Sequence, residues 1–271
     1  MRMDHRKTNK CLLTDEGSEN RKGDRKCSSR PGPDSGYANG NATIDLTLED
    51  IFNDANVKKA VAKVCANKGA PGIDGMTVYE LPKFMEQHWA EIKRLVLDGR
   101  YRPSAVRRVE IPKDNGKKRQ LGISTVMDRV VMQAVNLALS PYYEMTFSDS
   151  SYGFRKGRNA QQAVLKCQEY INEGYHYVVD MDLEKFFDTV NQDMLISKMA
   201  LRIKDGRILS LVHRFMKADI FANGMFFETD RGLVQGNPLS PLCSGIFLDE
   251  IDKRLEKLEH KAVRYADYTE D

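Results

Sequence analysis

The 271-residue sequence predicts an α+β fold. Extended and helical patterns interleave irregularly rather than in βαβ repeats. Two hairpin signals, Asp114-Asn115-Gly116-Lys117 and Asn223-Gly224, each join short β-rich runs.

In chain order, residues 1–43 are polar and broken by Gly, Pro and Ser, the composition of a disordered segment. Thr47 then reads as a helix cap, with Leu48, Ile51, Val57, Val61 and Val64 at imperfect helical spacing behind it. Gly69, Pro71, Gly72 and Gly75 open a loop. A second helix covers Leu81 to Asp98 and ends at Gly99. Residues 106–113 alternate as a strand and 118–125 return as its partner. A helix from Thr125 to Leu139 is expected to close before Pro141, and another spans Asn159 to Gly174. Residues 175–180 form a strand leading into carboxylates. Helices at 192–201 and 206–217, a hairpin, a helix opened by Pro238, and a strand over 261–267 complete the pattern.

Composition excludes more than it assigns. No apolar run approaches the ~20 residues of a membrane span, and no signal-peptide pattern opens the chain. The five cysteines (Cys11, Cys27, Cys65, Cys167, Cys243) form no C-x-x-C pair. That argues against a zinc site or a disulfide framework and for reduced thiols in a cytoplasmic protein. A net charge of +3 permits a nucleic-acid partner without requiring one.

Asp182 and Asp267 carry the chemistry. Each follows an extended run, where a carboxylate emerges from a sheet held rigidly and open on one side. Two such strands side by side would aim both at one point. Nucleotidyl transfer by two Mg²⁺ ions about 3.5–4 Å apart requires that arrangement. Asp180 lies two residues before Asp182 and faces the same way on a strand, so spacing alone does not choose between them.

The local sequences choose. Residues 182–188 (Asp-Leu-Glu-Lys-Phe-Phe-Asp) resemble polymerase motif A of reverse transcriptases. Residues 231–241 (Arg-Gly-Leu-Val-Gln-Gly-Asn-Pro-Leu-Ser-Pro) resemble motif B, and Tyr265-Ala-Asp267 resembles the start of the motif C box. Residues 67–75, 119–123 with Asp128-Arg129, and 151–155 look like the N-terminal blocks of group II intron reverse transcriptases, or maturases.

The resemblance implies a right-hand polymerase fold, with fingers over about 44–175, palm over about 176–271 and the thumb absent. Asp182 and Asp267 would hold two Mg²⁺ ions, helped by the Leu183 backbone. Lys113 and Arg119 would clamp the triphosphate of an incoming dNTP, and Phe187 would exclude a ribose 2′-hydroxyl. Gln235 and Gly236 would lie against the nascent base pair. Arg155 and Lys156 would contact the template backbone, and the partners would be intron RNA with a DNA or RNA primer. From the residues alone, one of Phe186 and Phe187 faces the core and the other a pocket, and Tyr152 with Phe154 fits core or site equally.

The box departs from the family at Tyr268, where a second Asp is expected. The second motif C strand is missing with it, which leaves the edge of the 261–267 strand open. A weak or inactive polymerase is the expectation, with an RNA-binding fragment that has lost catalysis as the alternative.

Overall fold

The computed structural model describes the backbone strand Lys10–Thr14 and residues 42–112, 118–183 and 185–265. Strand β1 is Lys10–Thr14; α1 (Leu48–Ile51), α2 (Asp54–Ala66) and α3 (Leu81–Leu97) follow. Then come β2 (Val106–Pro112), β3 (Lys118–Ile123), α4 (Val126–Glu144) and α5 (Ala160–Asn172). The chain continues through β4 (Tyr177–Asp180), α6 (Phe186–Thr189), α7 (Gln192–Ala200) and α8 (Gly206–Met216). It closes with β5 (Ile220–Ala222), β6 (Met225–Phe227), α9 (Ser240–Lys257) and β7 (Lys261–Arg264).

The expected first helix is two. Asn53 interrupts it and caps α2, accepting from the Asn56 amide at 2.9 Å. Helix α4 runs past its predicted stop at Pro141. A proline inside a helix forfeits one backbone bond. Burial of Leu139 and Tyr143 on either side, with the Arg202 guanidinium 4.7 Å over the Tyr143 ring, outweighs that loss.

Helix α4 is the central post of the core, packing on α2 and reaching α9. Its first turn is anchored by Asp128, which is buried and accepts from Tyr101 Oη (2.7 Å), Thr125 Oγ1 (2.7 Å) and the Ser104 amide (3.1 Å). Burial pushes this carboxyl up, against the pull of those donors.

Two sheets flank the core. One has the order β3-β2-β5-β6, with β2 and β5 parallel and the other pairs antiparallel. The other has the order β4-β1-β7. Here the structure corrects two expectations. The strands ahead of Asp182 and Asp267 are not side by side: β1, from the segment expected to be disordered, lies between them and pairs antiparallel with both. Parallel β4 and β7 each find in β1 the antiparallel ladder that needs no crossover between them. Nor is the β7 edge open at Arg264, which accepts from the Tyr152 amide and donates to the Ser150 carbonyl, each at 2.7 Å.

Chain-distant ends meet at α1. The Arg207 guanidinium grips both Glu49 oxygens (2.8 and 2.7 Å) and Asp205 Oδ2 (2.8 Å). Its hydrogen bonds hold the Glu49 carboxyl down at about 2, from an ordinary 4.5. A carboxyl depressed in this way stabilises the fold above its unfolded pKa and stops doing so as pH falls through the folded value. Arg207→Ala should therefore lower thermal stability at pH 7, by about 0.5 kcal/mol for so exposed a pair. The wild-type advantage should fade between pH 4.5 and about 2 in paired melting curves.

Candidate active site

Backbone contacts assemble the site. The Leu233 amide donates to the Phe187 carbonyl at 2.6 Å and the Gly232 amide to Val190 at 2.8 Å, laying the 231–237 segment against α6. The Gly122 amide donates to the Gln235 carbonyl at 2.9 Å, joining the same segment to β3. Such approach demands glycine. A Cβ on Gly232 (φ 87°) would sit 2.9 Å from the Phe187 and Asp188 carbonyl oxygens, and one on Gly236 (φ 99°) 2.9 Å from Gly122 O.

These contacts enclose a cavity of about 270 Å³. Its wall includes Phe187, Gln235, Arg108, Gln120, Asp188 and Arg231. Arg119 is not in the wall but donates from Nε to Gln235 Oε1 at 3.1 Å. Thus Phe187 and Gln235, from separate segments, share the wall, with Arg119 bonded to Gln235 and Gly236 next to it in the chain. Phe187 is the ring in the cavity wall, whereas Phe186 leans on Phe247 of α9 with ring centroids 6.1 Å apart. Lys113 lies outside the described residues.

Asp182 stands two residues beyond the end of β4 and does not line the cavity; Leu183 and α6 connect the two. Its carboxylate is exposed and has no hydrogen-bond or ion-pair partner among the described residues. In the register, Cys11 of β1 faces Asp180 on one side and Val263 on the other. Strands β4 and β7 therefore run the same way, about 10 Å apart across one strand. Two residues on from Asp180 and from Val263 in this register, Asp182 and Tyr265 come out at the same end of the sheet. Asp267 lies outside the described residues, and no cluster of three candidate metal ligands occurs among the described ones. The donor chemistry fits a hard divalent cation: among the described residues, a carboxylate at Asp182 without a partner and the Leu183 carbonyl, which accepts from the Phe186 amide at 3.3 Å.

Arg155 departs from its expected role. Its guanidinium is turned inward, 2.8 Å from Glu144 and donating to the Ser148 and Ser151 carbonyls at 2.6 and 2.9 Å. It builds the 148–151 turn, and Lys156 is the exposed cation of the pair. Tyr152 packs in a small core with Val263, and Phe154 (φ 56°) sets its ring edge-on to Phe187 at 6.4 Å.

Sequence reasoning missed Arg108, Gln120 and Arg231 in the cavity wall. The strand alternation held the signal for Arg108, since it puts Val106 and Arg108 on one face of β2, and both line the cavity.

A family model described as reverse transcriptase (RNA-dependent DNA polymerase) matches residues 111–269. The chain belongs to the reverse transcriptase family. Members of this family use divalent metal ions with a nucleic-acid template and deoxynucleotide substrates. This reverse transcriptase is 35% identical over 220 residues to protein YkfC of Escherichia coli, covering 79% of this chain and 58% of that protein. It is 35% identical over 203 residues to the group II intron-encoded protein LtrA of Lactococcus lactis, covering 74% and 34%. The chain thus spans well under two thirds of either relative. A solved structure described as a partial Cas6-RT-Cas1–Cas2 complex superposes with a TM-score of 0.54 at 27% identity, over 82% of this chain and 37% of that one. None of the described helices is long and apolar enough to cross a membrane.

Because Gly236 is bounded by the backbone of β3, Gly236→Ala should cost about 1–3 kcal/mol and deform the cavity. Thermal unfolding would read the loss. Gly157→Ala, whose new Cβ meets nothing within 4 Å but shares a positive φ (78°), separates backbone strain from the clash.

Proposed function

We propose that this chain is the fingers and palm of an RNA-directed DNA polymerase of the group II intron type, copying intron RNA from a DNA or RNA primer. One observation carries the reading: Phe187 and Gln235 line one cavity, with Arg119 bonded to Gln235, beside a strand end that presents Asp182. The same surface would bind intron RNA and assist splicing, as the kinship with group II intron-encoded proteins suggests.

Asp182, the Leu183 carbonyl and Asp267 would hold two Mg²⁺ ions. When bound, the ions would lower the pKa of the primer 3′-hydroxyl and offset charge on the triphosphate. The protein's own residues do the rest. Arg119 offers a planar fork to phosphate oxygens and Lys113 a point charge. Phe187, fixed by its backbone bond to Leu233, fills the space a ribose 2′-hydroxyl would need. Gln235, held by Arg119, and Gly236 would lie against the new base pair. Lys156, exposed, meets the nucleic-acid backbone. Tyr268, where the family motif carries a second Asp, would leave the metal site with one carboxylate fewer, so turnover is expected to be slow.

Primer extension on an RNA template with Mg²⁺ and dNTPs tests the reading. Asp182→Ala should lower the rate by on the order of a thousandfold, several kcal/mol of transition-state stabilisation. A chain that binds RNA and extends nothing would refute polymerase function. Phe187→Ala should raise incorporation of ribonucleotides relative to deoxynucleotides by about tenfold or more, read in single-nucleotide extension.

A further inference from the structure

Helix α2 carries a charged face that the cavity does not use. Val57, Ala60 and Val64 turn into the core. At 3.6 residues per turn, Ala55, Ala62 and Ala66 fall opposite them, with Lys58 on one flank and Lys59 and Lys63 on the other. All of these outward residues are exposed. The three ammonium groups have no hydrogen-bond or ion-pair partner among the described residues. Asp54, a turn before Lys58, is taken by Lys93 of α3 at 3.1 Å, and the sequence holds no other acidic residue until Asp74.

A solvated helix is favoured by opposite charges at i and i+4. Lys59 and Lys63 stand in that relation as like charges, which weakens the helix and is relieved by an anion from outside. The rest of the face selects the anion. Its ridge holds no Leu, Phe or Trp that could enter a bilayer. The alanine methyls keep it low, between lysines a turn apart, about 6 Å along the axis, close to the spacing of successive phosphates on one strand. Double-helical RNA offers a wide, shallow minor groove and is recognised by shape and backbone contact. A low ridge with cations on both flanks fits that groove.

Helix α4 separates this face from the cavity. Asn56 of α2 donates to the Ala134 carbonyl at 2.9 Å, whereas Asn136 donates to the Pro238 carbonyl at 3.0 Å and Met132 lies beside Leu233 and Val234. Ala134 is about 200° around the helix from Met132 and from Asn136, so α2 and the 231–238 segment lie on opposite sides of α4.

We propose that the Lys58–Lys59–Lys63 face of α2 docks double-helical RNA, on the side of α4 away from the cavity. The choice of partner rests on the polymerase reading: folded RNA is held here while a single strand is copied at the cavity.

The probe is an RNA hairpin of about 16 base pairs, titrated with the full chain by fluorescence anisotropy over a series of salt concentrations. Lys58→Gln/Lys59→Gln/Lys63→Gln keeps a helix former at each position, and circular dichroism checks that it folds. It should bind the hairpin about tenfold more weakly, with the slope of log affinity against log salt shallower by about 2–3. Unchanged affinity and slope in the folded variant overturn the inference. So does an equal loss in Lys83→Gln/Lys257→Gln, exposed lysines elsewhere, because overall charge alone would then explain binding. Wild-type preference for phosphatidylserine vesicles over the hairpin overturns it as well. Should the triple variant fail to fold, Lys59→Gln decides: a slope shallower by about 1 supports the inference and an unaltered slope overturns it. The polymerase reading is tested apart, on a short unstructured template. There the triple variant should extend a primer as wild type does, whereas Asp182→Ala should extend poorly and still bind the hairpin. If wild type extends nothing, the polymerase reading fails and the hairpin titration still decides. A triple variant that extends poorly but binds the hairpin normally puts the lysines on the template path and overturns the inference.

Discussion

The site depends on one steric constraint: three stretches of backbone lie closer together than any side chain would allow. Residues 231–237 touch α6 through Gly232 and β3 through Gly236 and Gly122. At Gly122 a Cβ would press on Val106 at 2.8 Å and meet Val234 closer still. With the backbones in contact, the cavity walls are set by hydrogen bonds between main chains, which have little freedom to shift. Phe187 and Gln235 hold their places because the peptide groups that carry them are paired. Gln192 extends this from beneath, donating to the Gly232 and Met216 carbonyls at 2.9 and 3.0 Å.

The β3-β2-β5-β6 sheet inherits its rigidity from the base of α4. Arg129 donates to the Ala70 carbonyl at 2.7 Å and Arg107 to the Pro71 carbonyl at 2.6 Å, so two guanidinium groups pin the glycine-rich loop by its backbone. Gly72 packs there with its would-be Cβ 2.6 Å from the Thr125 backbone. Thr125 in turn caps α4 and bonds Asp128. The loop, the helix start and the root of β3 are therefore one bonded unit, on which Arg119 is carried to Gln235.

Arginine is used inwardly to an extent that net charge conceals. Arg155, Arg202 and Arg264 spend their donors on carbonyls, hydroxyls and carboxylates within the fold; Arg202 alone bonds Ala42, Tyr142 and Thr146. A planar fork with five donors suits such buried joints better than lysine does. Locating a nucleic-acid surface by counting basic residues would therefore point at the wrong side chains.

By itself the sequence determined the order and type of nearly every element, because turn chemistry, caps and apolar periodicity are local properties written in neighbouring residues. It also pointed to Phe187 and Gln235, which the fold brings into one cavity wall, because their motifs carry their own spacing. Tertiary structure alone decided what depends on residues far apart in the chain. Helix α4 passes Pro141 because distant side chains bury Tyr143, and Arg155 faces inward because Glu144 and the 148–151 turn lie beside it. Strand β1 lies between β4 and β7 because two parallel strands share an antiparallel partner, a pairing across some 250 residues that no local pattern records.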